Sequence, residues 1–259
     1  MAHLNSLQKK FGKRGLTVVG VTDGDEKGTV PWIEKMGVRY PWGYEKSHFA
    51  FRSTIWVYPH ALLISPRGTV IWSGPAGDVT DELIRKNLDG AIDRPLWTWP
   101  KAFEPVKKAI AVGDWKRALT LSAGLAEDDE SARPLAATVR HLLALRVEGI
   151  EETYQAGDAF VSWQSAHALK DHVAGSEFGP RIAGLIREMN AKPEFRTTYL
   201  AQAKVFQIIG AGAKNRAAAL EQVEQLGKIA EAHRDSIPGK EAAIHRRYLG
   251  RIITEGLLK

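Results

Sequence analysis

The chain has 259 residues, 44% of them hydrophobic and 25% charged, enough to bury one or two ordinary cores without a long low-complexity tract. It contains no cysteine, which excludes disulfides, thiolate metal sites and cysteine catalysis. The formal net charge is +6, but the basic residues are dispersed, with Lys9, Lys10, Lys13 and Arg14 near the start and His245, Arg246 and Arg247 near the end. No stripe of lysine and arginine interleaved with aromatics points to a nucleic-acid partner. No apolar run approaches the roughly 18–20 residues of a membrane span, and residues 1–10 lack the apolar segment of a secretory signal.

Taken in order, Leu4, Leu7 and Phe11 share one face at helical spacing, so residues 3–11 predict a helix that Gly12 and Gly15 end. Residues 16–21 (LTVVGV) are almost all apolar, which suits a strand covered on both faces. Thr22, Asp23, Gly24 and Asp25 form a turn. A second helix over 29–36 takes Thr29 as its cap and Pro31 in its first turn. A short helix is expected over 47–53. Residues 61–64 and 69–72 form two strands, and Ser65-Pro66-Arg67-Gly68 between them has tight-turn composition, so they read as a hairpin. A last helix over 79–88 is capped by Asp78 or Thr80. The order starts with a helix, whereas a parallel βαβ crossover starts with a strand.

Residues 93–100 (DRPLWTWP) carry two prolines and block regular structure, which places a domain boundary there. Trp97 and Trp99 are expected to pack this linker onto a domain. From 101 onward the chain reads as helix after helix: 102–112, 114–127, 131–156, 158–174, 179–190, 193–210, 214–235 and 238–257. Gly113-Asp114 and Gly157-Asp158 recur 44 positions apart, and Asp114 and Asp158 are expected to cap the helices they precede. Gly113-Asp114-Trp115-Lys116-Arg117-Ala118 resembles the start of a second helix in a tetratricopeptide repeat. The spacing is longer than the roughly 34 residues of that repeat, so these are TPR-like hairpins and not a true array.

The segment HLNSLQKKFGKRGLTVVGVTDGD resembles the stretch that follows the active site in TlpA-like (redoxin) thiol–disulfide oxidoreductases. IWVYPHALLISPRGTVIWSG is similar to their proline loop and terminal hairpin. The resemblance covers about residues 2–90. It implies an α/β thioredoxin-like domain over 1–92, lacking its first strand and Cys-x-x-Cys motif, then the linker at 93–100 and an all-α domain of TPR-like hairpins over 101–259. Without the missing strand, the strands at 16–21 and 61–64 would present unpaired edges, so the resemblance implies a truncated domain or one completed by another segment.

Thiol–disulfide exchange needs a thiolate at a helix N-terminus and a resolving thiol. No sulfur but the Met1 thioether stands before the first helix, and His3 is a capping or surface residue. The chain is therefore expected to be redox-inactive, with no catalytic residue and no cofactor. Pro59 matches the family's cis-proline. The resemblance implies that Tyr58, Pro59 and His60, with Thr22 and Asp23 at the neighbouring strand end, border an edge that accepts an extended peptide. It also implies a periplasmic or extracytoplasmic setting.

The alternative reading is a non-enzymatic protein-binding module that uses this edge and the helical array. Its partner is then a protein or peptide, neither nucleic acid nor membrane. No metal site is expected: His167 and His172 are five apart and do not share a helical face. Glu127, Asp128, Asp129 and Glu130 read as a solvated loop, and Glu151 and Glu152 have no paired-carboxylate spacing. Gly74-Pro75-Ala76-Gly77 is not a phosphate loop, because it contains a proline and no suitably placed lysine follows it.

Overall fold

The computed structural model describes residues 1–22, 24–44 and 59–256. The helix expected over 47–53 lies outside them. The chain divides into two compact units, the first over 1–149 and the second over 150–256 among the described residues.

In the first unit, α1 (Ala2–Phe11) buries Leu7 and Phe11, and Gly15 closes the turn after it at φ 104°. β1 (Gly20–Thr22) is followed by α2 (Glu26–Lys35). The Asp25 carboxylate accepts from the Gly28 N–H at 2.7 Å, so α2 starts earlier than the expected cap at Thr29, and Pro31 falls inside it. β2 (Trp42–Tyr44) pairs with β1 in parallel, Gly20 opposite Trp42. β3 (His60–Ile64) and β4 (Val70–Pro75) form the antiparallel hairpin, joined by the turn at Ser65–Gly68. α3 (Asp81–Lys86) is capped by the Thr80 hydroxyl, which accepts from the Leu83 N–H at 3.2 Å.

The expected α/β thioredoxin-like domain is not what forms. Among the described residues the structure is 68% helical, and the strands belong to two separate sheets of two strands each, with no common sheet core. The physical reason lies at residues 16–21. An apolar strand becomes central only when neighbours cover both of its faces. Here regular pairing is confined to Gly20–Thr22, with β2 its only partner among the described residues, and Val19 and Val21 stay 53% and 64% exposed. The apolar residues that do become buried come mainly from helices. Leu7, Phe11, Val79 and Ile84 form one cluster, against which Ala61, Leu63 and Trp72 of the hairpin pack.

α4 (Glu104–Ala111) and α5 (Trp115–Asp128) follow in the same unit, then α6 (Arg133–Gln155), within which the division between the units falls. Residues 93–100 lie in the first unit. Trp99 is buried edge-to-face on Phe103, with Val106, Ala118 and Val139 in the same cluster, and its indole N–H donates to the Arg94 carbonyl. Trp97 does not share this anchoring role and remains exposed. The hairpin turn rests on α6. Arg67 Nε donates to Glu148 Oε2 at 3.0 Å, and a Cβ on Gly149 would lie 2.2 Å from the Arg67 carbonyl oxygen.

The second unit contains α7 (Ala159–Lys170), α8 (Gly179–Ala191), α9 (Pro193–Ala211), α10 (Arg216–Ala232) and α11 (Ile237–Thr254). Val205, Ile208, Leu226, Ala242 and Leu249 make its central cluster from α9, α10 and α11. The helix positions read from the sequence hold to within a few residues. Asp114 and Asp158 cap α5 and α7 as expected, accepting from the Arg117 and Val161 N–H groups, both at 3.1 Å.

Candidate functional site

Of the expected edge residues, Tyr58 and Asp23 lie outside the described residues. Pro59 precedes β3, and its carbonyl accepts from the Ala76 N–H. His60 opens β3, and its Nε2 lies 2.8 Å from Ser73 Oγ on β4. Thr22 ends β1 and uses its hydroxyl to accept from the Gly24 N–H. Thr22 thus belongs to one two-stranded sheet and His60 to the other, with Pro59 directly before it. No hydrogen bond joins the two groups among the described residues.

A more continuous constellation lies in the second unit. The helical period places Phe195, Tyr199 and Phe206 on one face of α9, and Phe160, Trp163 and His167 on one face of α7. The two faces interleave their rings. Phe206 and Phe160 are 4.8 Å apart at their centroids, Phe160 stacks on Tyr199 at 5.5 Å, Tyr199 meets Trp163 at 5.8 Å, and Trp163 meets Phe195 at 6.2 Å. Tyr154 at the end of α6 continues the run, 5.7 Å from Phe195. Such contacts contribute about 0.5–1.5 kcal/mol each beyond area burial. Five of these six aromatic rings are half-buried and Phe206 is exposed, so the strip both joins the helices and shows its rings to solvent.

Polar groups border the strip. Gln164 Nε2 lies 3.4 Å from the Tyr199 hydroxyl, and the Trp163 indole N–H has no hydrogen-bond partner among the described residues. The Tyr154 hydroxyl donates to Glu188 Oε1 at 2.8 Å and accepts from Lys192 Nζ at 2.7 Å. Lys192 also bonds Glu188 at 2.7 Å. These bonds hold the Glu188 carboxyl below its usual range and the Lys192 ammonium above its own. The Tyr154 end of the strip is therefore fixed by a charged bracket.

At the other end, a buried amide sets the position of Phe160. Gln202 is fully buried. Its Oε1 accepts from the Phe160 N–H at 3.0 Å, and its Nε2 donates to Asp158 Oδ1 at 3.0 Å and to Glu241 Oε2 at 3.4 Å. One side chain of α9 thus ties the start of α7 to α11. Burial pushes the Glu241 carboxyl up to about 7; the Gln202 hydrogen bond opposes this and the Asp158 charge adds to it. One turn further along α11, burial lowers the His245 imidazole.

The sequence reading missed both the strip and this cluster. The i, i+4, i+11 spacing of Phe195, Tyr199 and Phe206 was a legible signal for the strip. Gln202 gave none, because a lone glutamine in a helix is ordinarily a surface residue. Among the described residues no group of three or more His, Cys, Asp or Glu side chains could hold a metal ion, and no helix is long and apolar enough to cross a membrane.

Compared with known proteins, the chain matches no family model, no curated sequence and no solved structure.

Proposed function

We propose that this chain is a non-enzymatic protein-binding module whose second unit docks a proline-rich, extended segment of a partner along the aromatic strip. The observation that carries this reading is the unbroken run of six rings from Phe206 to Tyr154, held on helices and still open to solvent. Aromatic faces accept proline rings well, and a polyproline segment is already extended, so little ordering entropy opposes its docking. The Trp163 indole N–H, without a hydrogen-bond partner among the described residues, and the Tyr199 hydroxyl would bond the carbonyls that such a segment cannot satisfy internally. The Lys192–Glu188–Tyr154 bracket and the Gln202 amide hold the two ends of the strip before any partner arrives, which lowers the cost of binding.

The test is a fluorescence-anisotropy titration of the full chain with labelled proline-rich peptides and with the same peptides in which each proline is replaced by glycine. Saturable binding that the glycine series loses, and that Phe206→Ala and Trp163→Ala each weaken about tenfold, supports the reading. Equal binding of the two peptide series, or binding indifferent to both variants, overturns it. Phe206 is 36% exposed, and far-UV circular dichroism of each variant checks that the helices persist.

A further inference from the structure

The structure assigns a second docking site to the first unit, in the groove between α4 and α5: a site for an acidic peptide segment that carries an apolar side chain. The groove encloses about 440 Å³ and is lined by Glu104, Pro105, Lys108, Ala109, Val112 and Arg117. Pro105, Ala109 and Val112 supply its apolar lining. Val112 is 78% exposed, the most open of the large hydrophobic side chains among the described residues, although it sits beside the buried Ala109. An apolar side chain entering the groove would cover it.

The charges select what accompanies that side chain. Glu104 is the one acidic lining residue, and its carboxylate is already bonded to Lys107 at 2.6 Å, which with Lys108 holds it ionised to lower pH than usual. Lys108 and Arg117 are exposed; neither forms a close ion pair among the described residues, and Lys108 acts on Glu104 only through its charge. Asp114 is engaged as the cap of α5. Residues 101–117 carry Lys101, Lys107, Lys108, Lys116 and Arg117 against Glu104 and Asp114, so the field at the groove is positive. Two exposed cations beside apolar lining residues complement a segment in which carboxylates flank an aliphatic or aromatic residue. Arg117 offers a planar fork that a carboxylate can meet with two hydrogen bonds, and Lys108 offers a point charge.

This site is independent of the aromatic strip, and the experiment keeps the two apart. The full chain is titrated by isothermal calorimetry with a synthetic octapeptide of alternating leucine and glutamate, with its leucine–glutamine counterpart, and with a glutamate–serine peptide of equal charge. The leucine–glutamate peptide is expected to bind at least about tenfold more tightly than either control, with an affinity that falls as salt rises. Lys108→Glu and Arg117→Glu should each weaken it about tenfold. Val112→Ser should weaken it several-fold, while Phe206→Ala on the other unit leaves it unchanged. All three groove positions are exposed, and far-UV circular dichroism of each variant checks that the helices persist. The proposal is overturned if the glutamine counterpart binds equally well, if the two charge reversals have no effect, if no saturable binding is seen, or if a single-stranded oligonucleotide of equal charge binds more tightly than the peptide.

Discussion

Replacing Glu241 by glutamine should stabilise the protein at neutral and alkaline pH and leave it almost unchanged near pH 4.5. The carboxyl titrates at about 7 in the fold against an ordinary value of 4.5, because burial and the nearby Asp158 charge oppose ionisation more than the Gln202 bond favours it. The raised value means that the folded state holds the proton more tightly than the unfolded chain. Its contribution is fully present below about pH 4.5 and is lost as pH rises through about 7. At 1.36 kcal/mol per pH unit, the gap corresponds to about 3 kcal/mol, and the residual exposure of the side chain reduces that to about 2. Glutamine keeps an acceptor for the Gln202 N–H and never ionises, so the variant escapes the loss. His245 works in the opposite sense, since burial favours its neutral form and stability is lost as pH falls below about 6.5. It is present in both proteins and cancels in their difference. Urea denaturation followed by far-UV circular dichroism, at about pH 4.5 and about pH 8, measures that difference. A gain of about 2 kcal/mol at the higher pH and about none at the lower is expected. A difference independent of pH, or a variant less stable at about pH 8, would show that the Glu241 carboxyl is not held protonated by the fold.

Two further substitutions probe how each unit is built. Gly149→Ala places a methyl carbon 2.2 Å from the Arg67 carbonyl oxygen, a backbone atom that cannot swing away, so it should lower stability by about 1–3 kcal/mol by forcing the hairpin turn off α6. Thermal unfolding measures it, and an unchanged melting temperature would mean that the turn does not rest on that helix. Asp158→Ala removes the cap on Val161 and one of the two acceptors of the buried Gln202 amide, at a cost of about 1–2 kcal/mol. Because it also removes a negative charge beside Glu241, the apparent pKa of that carboxyl should fall toward its ordinary value, read from the pH dependence of stability.

The helical half of the chain was legible because its signals are local. Asp114 and Asp158 stand directly before apolar periodic runs, and a side-chain acceptor at that place satisfies N–H groups the helix itself leaves open. The Ser65–Gly68 turn of the hairpin was local in the same way. The sheet was not. Whether residues 16–21 become a buried central strand depends on what lies beside them, and a run of β-branched residues carries no information about its neighbours. With Val19 and Val21 exposed and regular pairing confined to Gly20–Thr22, the composition of the run was right for a strand while its environment was not. The resemblance to an α/β fold was carried by such runs, which explains how two correctly ordered segments could suggest an architecture the chain does not adopt.

The same contrast separates the two parts of the candidate site. The rings at 195, 199 and 206 share a face by arithmetic alone, and so do those at 160 and 163. What the spacing could not supply is that the two faces meet, since that depends on the angle between α7 and α9. The angle is constrained by Gln202, whose single amide binds the Phe160 N–H, Asp158 and Glu241 at once. A buried amide with all its partners is costly to disrupt, because each group left unpaired loses both water and its protein bond. Gln202 thus converts two independent helical stripes into one surface. The half-buried Glu241 carboxyl, held close to neutral pH, is the physical cost of that junction: a carboxylate brought near Asp158 so that α11 can close over the amide that aligns the strip.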